Sequence, residues 1–430
     1  MEMIFLKRIK KMNHGLKGEI KIPGDKSISH RAIMISSLAD SEVEIKNFLK
    51  GADCLSTIGC MREMGVSVEE SNEKILIRGN GLNGLIEPKN ILDAGNSGTT
   101  LRLLMGLLSA QNFLTTFTGD DSLRKRPMGR VITPLSKMGA KIFGRNQNKN
   151  LPITIVPTEK LKAITYQMPV ASAQVKSAII LAGLYTDGIT TIIEKNPSRD
   201  HTEKMLSAFG AKIEKNLNEI KIYPAQKLTA PKMIEVPGDI SSAAYWIVLA
   251  SILEDSDVII KNVGINETRT GITDVMKNMG AKIYFENERI SGGENFADIH
   301  VIKSKLHGIT FGNEMIPRLI DEIPIIAVAA AFAEGDTIIN DVGELRVKET
   351  DRLKAIVEEF NKISVGTFEA DENTLIIHGG NKFNYAECKT YDDHRMAMSL
   401  AIFGAAANGV LIDNPDCVKI SYPNFFDSLI

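Results

Sequence analysis

Apolar residues in this chain fall into two alternating rhythms. Runs of about a dozen residues rich in Ala, Leu, Ile and Met, each entered from a polar or Gly-rich turn, predict helices. The short runs that follow, EVEIKNF, FLTTFTG, ITTIIEK, DVIIKNV, DTIINDV and VLIDNP, are rich in β-branched residues and predict strands. The turns open near Pro23, Gly95, Pro169, Pro237, Asp321 and Asp392, at spacings of 72, 74, 68, 84 and 71 residues. A second helix recurs and often stops at Met-Gly or Phe-Gly, as in REMGVSV, SKMGAKI, SAFGAKI and KNMGAKI. Glycine there predicts the left-handed residue just beyond a helix end. Further β-like runs, such as EKILIRG and NEIKIYP, follow it.

A longer repeat encloses these units. IKIPGDKSISHRAIMISSLA, from Ile20, matches IEVPGDISSAAYWIVLASIL, from Ile234, and the two Pro-Gly-Asp turns lie 214 residues apart, half the chain. The expected class is therefore α/β, with two domains of three repeated β/α units. The chain should cross between them at Pro23 and again near Gly238. Residues 1–22 plus 239–430 then form one discontinuous domain and 23–238 the other, with the strand before Pro23 joining the second half.

Composition narrows the function classes. The 430 residues are 43% apolar and 24% charged, enough to pack two sizeable cores. Lys and Arg total 51 against 53 Asp and Glu, a net charge of −2, which excludes a generally basic nucleic-acid binder. One Trp and 6% aromatics argue against base-stacking surfaces. No apolar run is long enough to span a bilayer. The first twenty residues show no signal-peptide pattern, and four cysteines without a CxxC pair fit reduced thiols. A cytoplasmic location is expected.

The polar residues concentrate where the helices begin, and helix N-termini attract anions. Lys26, Ser27 and Arg31 lie in PGDKSISHRA; Asn96, Gly98, Thr99 and Arg102 in DAGNSGTTLRLL; Ser172, Gln174 and Lys176 in MPVASAQVKSA. Asp321 precedes IPIIAVAAAF, and His394 with Arg395 lies in YDDHRMAMS. RKRPM packs three cations ahead of a proline, and RVKETDR holds Arg346, Lys348, Glu349 and Arg352. On one helix, Lys348 and Arg352 would share a face, four residues apart. There is no P-loop, no HExxH and no Cys/His cluster, and GNGLNG leads into no helix, so it reads as a turn. His30 and His394 are given no proton-transfer role.

PGDKSISHRA, AGNSGTTLRLL, RKRPMGRV, ASAQVKSA, SRDHTEKML, PGDISSAA, RVKETDR and DDHRMAMS together resemble the 3-phosphoshikimate 1-carboxyvinyltransferase (EPSP synthase) family, in that family's order, from about residue 14 to residue 426. The resemblance implies the enolpyruvyl transferase fold, an inside-out α/β architecture of two three-repeat domains that close on substrate. It implies transfer of the enolpyruvyl group of phosphoenolpyruvate to the 5-hydroxyl of shikimate 3-phosphate, in the pathway to chorismate and aromatic amino acids. By the same resemblance shikimate 3-phosphate meets Lys26, Ser27, Arg31, Ser172, Gln174, Asp321 and Lys348. Phosphoenolpyruvate meets Lys26, Gly98, Arg126, Gln174, Arg352 and Arg395, and Arg199 is a candidate further cation. Asp321 is the implied base for the hydroxyl, with Glu349 and Lys26 the candidates for the other proton transfers. Neither metal nor organic cofactor is implied; the partners are the two small molecules, with no nucleic acid or membrane, and a monomer is expected.

One position departs from the family pattern. Many members carry a lysine three residues before a C-terminal proline; here Ile420 holds that place before Pro423, and Lys419 is one residue off, so Lys419 is left out of the site. The runner-up activity is that of UDP-N-acetylglucosamine enolpyruvyltransferase, which usually carries a loop cysteine that the RKRPM region lacks. A non-catalytic anion-binding scaffold is the reading from another class. Keeping Asp321 and Glu349 among the cations speaks against it, because carboxylates weaken affinity for polyanions.

Overall fold

The computed structural model describes residues 6–429, and its contacts divide them into two compact units. The middle unit comprises residues 24–237 together with 290–294; the terminal unit comprises the chain up to Pro23, Gly238–Arg289 and everything from Asn295 onward. Both divisions fall inside the Pro-Gly-Asp turns. In the middle unit the amide of Asp25 donates to the carbonyl of Pro237, and in the terminal unit the amide of Asp239 donates to that of Pro23.

Strand pairing explains the crossings. Lys17–Lys21, although near the start of the sequence, pairs in parallel with Asp257–Lys261 of the terminal unit. Met233–Glu235 pairs in parallel with Glu44–Lys46 of the middle unit. Each of these strands lies just ahead of a Pro-Gly-Asp turn and completes a sheet of the unit that the chain leaves there.

The six repeats have one local plan. Five give a four-stranded sheet and the last, among the described residues, a three-stranded one. In the first, Met233–Glu235, Glu42–Lys46, Lys74–Arg78 and Ser67–Glu70 lie side by side: one parallel pairing, then antiparallel pairings. All six predicted strand runs are strands, and the sheets are open rather than closed barrels. The glycines that end the second helices, Gly65, Gly139, Gly210 and Gly280, all have the left-handed φ expected of them, +83° to +99°.

The first helix of each repeat is the inner layer. In the middle unit these are Lys26–Ser37, Gly98–Leu108 and Ala173–Gly183; in the terminal unit, Ile240–Ile252, Ile323–Ala331 and His394–Ala406. Nearly every residue of Ile240–Ile252 and all of Ile323–Ala331 are buried, so these helices are apolar on all faces, as a core helix must be. They pack closely enough that a Cβ on Gly106 would sit 2.2 Å from the carbonyl oxygen of Ala178, so only glycine fits there. Sheets therefore cover helices. All four cysteines are free and buried. Among the described residues no helix is long and apolar enough to cross a membrane, and no cluster of three or more His, Cys, Asp or Glu is placed to hold a metal.

Candidate active site

The middle unit presents its candidate residues at three helix starts. Asp25 caps Lys26–Ser37 by accepting from the amide of Ile28. Lys26 stands in the first turn, its Nζ 3.3 Å from Asp53 Oδ2. Arg31, one turn on, is buried and tightly held: Nε donates to Thr202 Oγ1 at 2.7 Å, Nη2 to Ser177 Oγ and Nη1 to the carbonyl of Ser27, both at 2.8 Å. Burial pulls its pKa down to about 10, against the opposing pull of Glu203, Asp25 and Glu294. Arg199 also acts on Arg31 by charge repulsion.

Ser97 caps Gly98–Leu108 and Ser172 caps Ala173–Gly183. Arg126 is anchored by Asn96, through Nη2 to Oδ1 at 2.7 Å and Nη1 to the carbonyl at 3.3 Å. A Cβ on Gly98 would lie 3.0 Å from Arg102 Nη1 and 3.6 Å from Arg126 Nη1, so this glycine faces two guanidinium groups. Arg102 Nη1 in turn donates to Gln174 Oε1 at 2.5 Å, while Gln174 Nε2 donates to Thr99 Oγ1. Arg102 accepts nothing, so it fixes the sense of the Gln174 amide. Gly98, Arg126 and Gln174, far apart in sequence, are thereby brought together.

Lys176, grouped with the polar residues of its helix start by sequence, has a different job. Its side chain is fully buried, with Nζ 2.9 Å from Glu194, 2.8 Å from Glu203 and 3.0 Å from the carbonyl of Ser198. It ties the segment 194–203 to the helix and is not presented to a ligand. His30 is also buried. Desolvation lowers its pKa to about 3, so it is neutral, and Nδ1 joins a hydroxyl chain through Thr57 and Thr100 to Ser97.

In the terminal unit, RVKETDR is not one helix. Gly343–Val347 is a 3₁₀ turn, Lys348 is extended, and a new helix starts at Arg352. The shared face that one helix would have given Lys348 and Arg352 is replaced by convergence on Asp321: Lys348 Nζ lies 3.5 Å and Arg352 Nη1 3.4 Å from its Oδ1. Arg352 is 1% exposed and holds two further carboxylates, Glu349 at 2.8 Å and Asp393 through Nε at 2.8 Å and Nη2 at 3.3 Å. Burial opposes its charge, but Asp393, Glu349 and Asp321 outweigh burial and raise its pKa above the usual value.

Asp393 caps His394–Ala406 by accepting from the amide of Arg395. Arg395 is buried and its Nη1 has no hydrogen-bond partner among the described residues. Burial again opposes the charge, and Tyr245, Asp321, Asp239 and Glu322 more than compensate, raising the pKa. Asp321 itself caps nothing. It lies in a 3₁₀ turn, and the cap position of the following helix Ile323–Ala331 is held by Glu322, whose side chain accepts from Ser241 Oγ and does not cap the helix. Lys419 is largely exposed and pairs with Asp416. A surface cavity of about 590 Å³ on the sheet of this unit is lined by Lys261, Asn262, Asn287, Glu288, Arg289 and Asp298, none of them a candidate residue.

Two site carboxylates escaped sequence reasoning. Asp53, the partner of Lys26, sits on another helix and has no local signature. Asp393 did have one, an acid just ahead of HR at a helix start, the usual position of a cap.

In each unit, then, cations and carboxylates meet where inner helices begin, an arrangement that can bind anions and move protons. The chain matches the family described as EPSP synthase (3-phosphoshikimate 1-carboxyvinyltransferase) over residues 10–429. It is 55% identical to the 3-phosphoshikimate 1-carboxyvinyltransferase of Thermoanaerobacter sp. (strain X514) over 412 residues, covering 96% of each chain. It is 50% identical to the enzyme of that name from Bacillus cereus (strain G9842) over 422 residues, covering 98% of each. The solved EPSP synthase of Acinetobacter baumannii superposes with a TM-score of 0.90 at 43% identity, covering 98% of this chain and 97% of that one. The enolpyruvyl transferase NikO of Streptomyces tendae shares the fold, with a TM-score of 0.78 at 16% identity over 99% of this chain and 96% of that one. With matches of this length and depth, the chain belongs to the EPSP synthase family.

Proposed function

We propose that this protein transfers the enolpyruvyl group of phosphoenolpyruvate to the 5-hydroxyl of shikimate 3-phosphate and releases phosphate. The observation that carries the reading is the arrangement around Arg352: a buried guanidinium held among three carboxylates, with Lys348 sharing Asp321. Anion binding alone would call for cations without Asp321 and Glu349. Proton transfer beside an anion calls for both. The names of the relatives favour shikimate 3-phosphate over a nucleotide sugar as acceptor.

The chemistry sets the demands. Each substrate carries a phosphate of about −1.5 to −2 and a carboxylate, so the pair brings roughly −5 to −6. Lys26, Arg31, Arg126, Lys348, Arg352 and Arg395 supply the neutralising charge, and the planar arginine forks orient what they bind. The 5-hydroxyl oxygen attacks C2 of phosphoenolpyruvate while Asp321 takes its proton and the methylene carbon gains one. The tetrahedral adduct then loses phosphate and a methyl proton, restoring the double bond. Glu349 and Lys26 are the candidates for the transfers at carbon. On this reading Lys26, Ser27, Arg31, Ser172, Gln174, Asp321 and Lys348 hold shikimate 3-phosphate. Lys26, Gly98, Arg126, Gln174, Arg352 and Arg395 hold phosphoenolpyruvate.

The same reading takes residues 1–22 with 239–430, and 23–238, as the two domains, and a cytoplasmic monomer that binds no nucleic acid. Its test is direct. Incubation with both substrates should yield 5-enolpyruvylshikimate 3-phosphate by mass spectrometry; recovery of both substrates unchanged, from folded protein, would refute it.

A further inference from the structure

We propose that Glu359 and Tyr391 are positioning residues that lock Arg395 in place relative to Arg352, resting on the reading that these two arginines hold phosphoenolpyruvate. Two segments meet here. The first begins at Arg352, runs through Arg352–Ala355, widens into a π-helical turn over Ile356–Phe360 and ends at Asn361–Ile363. Such turns are rare and, where they occur, are frequently at functional sites. This one carries Glu359, 2% exposed, against the second segment, residues 389–395.

The second segment is strained. Tyr391 and Asp392 are consecutive non-glycine residues in the left-handed region, at φ +54° and +56°. That conformation is unfavourable for a tyrosine and persists only where surrounding contacts enforce it. Glu359 supplies those contacts. Its Oε2 accepts from the amide of Lys389 at 2.8 Å and its Oε1 lies 3.0 Å from the Tyr391 hydroxyl, which is also 2.9 Å from Glu358. On the other side Asp413 accepts from the amide and hydroxyl of Thr390, and Asn414 donates to Asp392.

Immediately after the strained pair comes Asp393, which bonds both Arg352 and the amide of Arg395. The two arginines are therefore tied at two points, at Asp393 and again through Glu359 with Tyr391. A single tie leaves a pivot; two fix direction. If the second tie is released, the left-handed pair can relax, turning the start of helix His394–Ala406 and the Arg395 fork with it. Neither Glu359 nor Tyr391 need touch substrate for this.

The test measures the phosphoenolpyruvate KM by phosphate release, shikimate 3-phosphate binding by calorimetry, and Tm. Tyr391→Phe removes only the hydroxyl. Tyr391→Asn removes its reach but suits the left-handed backbone, since Asn tolerates that region better than most residues. Tyr391→Phe should raise the phosphoenolpyruvate KM about five- to tenfold, the loss expected for one ordinary hydrogen bond, and Tyr391→Asn, which itself favours the left-handed backbone, by less. Shikimate 3-phosphate affinity should stay within about twofold, and the Tm of Tyr391→Asn should not fall below that of Tyr391→Phe. Glu359→Gln, whose amide oxygen can still accept from Lys389, should show a smaller rise in the same KM. A purely structural role predicts the opposite, with lower Tm and an unchanged phosphoenolpyruvate KM in all three variants, and that result overturns the inference alone. Should the wild-type protein fail to release phosphate in the same assay, the functional reading falls and takes this inference with it.

Discussion

Replacing Asp321 with Asn separates chemistry from binding at a single atom. Asn has the size of Asp and can still accept from Lys348 and Arg352, but it is not a competent base. Loss of a general base costs about 10²–10⁴-fold in rate, which corresponds to about 3–5 kcal/mol of transition-state stabilisation. The structural cost should be far smaller. Arg352 keeps Glu349 and both bonds to Asp393, so no buried cation is left uncompensated. Lys348 is 27% exposed in its side chain and can turn to water, where such pairs contribute about 0–1 kcal/mol. Asp321 caps no helix, so no cap is lost. Shikimate 3-phosphate should bind as well as to wild type or better, because one negative charge has left the neighbourhood of an anion. Calorimetry for that ligand, a thermal melt and steady-state phosphate release on the same preparation give the three readouts. Turnover within a few-fold of wild type would refute the assignment of Asp321 as base, and lost shikimate 3-phosphate affinity at unchanged Tm would show that its part is in binding.

Three further outcomes are expected. Arg395→Lys keeps the charge and loses the planar fork, so the phosphoenolpyruvate KM should rise at least about tenfold; wild-type kinetics would mean that Arg395 serves packing alone. Gly98→Ala places a methyl carbon 3.0 Å from Arg102 Nη1 and 3.6 Å from Arg126 Nη1. The phosphoenolpyruvate KM should rise while shikimate 3-phosphate affinity stays within about twofold, and an unchanged KM would limit Gly98 to its turn. His30 is held neutral by burial with a pKa near 3 in the fold against 6.5 when free. The unfolded chain takes up that proton first, so His30 should erode stability as pH falls through 6.5 towards 3, and not above. Urea midpoints of His30→Gln should fall less steeply than wild type over that range; parallel slopes would remove His30 from the acid response.

Much of the fold was legible because each repeat states its own plan. Apolar runs gave the inner helices, β-branched runs the strands, and glycines at +83° to +99° the helix ends. The strand before Pro23 could also be placed with the second half, since a Pro-Gly-Asp turn repeated half a chain apart implies one event occurring twice. The site was legible as a set of helix starts, but its pairings were not. Arg352 meets Asp321 and Asp393, 31 and 41 residues away, and no local pattern encodes those distances. Lys176 shows the converse difficulty: a lysine at a helix start reads as a ligand contact until Glu194 and Glu203 are seen to close around it. Lys348 and Arg352 do not share a helical face for a local reason, since the helix breaks at Lys348 before starting again under the Asp351 cap. The π-helical turn at Ile356–Phe360 left no mark in the hydrophobic rhythm either.

This chain moves an enolpyruvyl group onto shikimate 3-phosphate. The most direct test of this transfer is phosphate release from phosphoenolpyruvate with two acceptors side by side, shikimate 3-phosphate and UDP-N-acetylglucosamine. Stoichiometric release is expected with shikimate 3-phosphate, none with the nucleotide sugar and none with phosphoenolpyruvate alone. Release with UDP-N-acetylglucosamine in place of shikimate 3-phosphate, or with neither acceptor while both substrates bind, would contradict it.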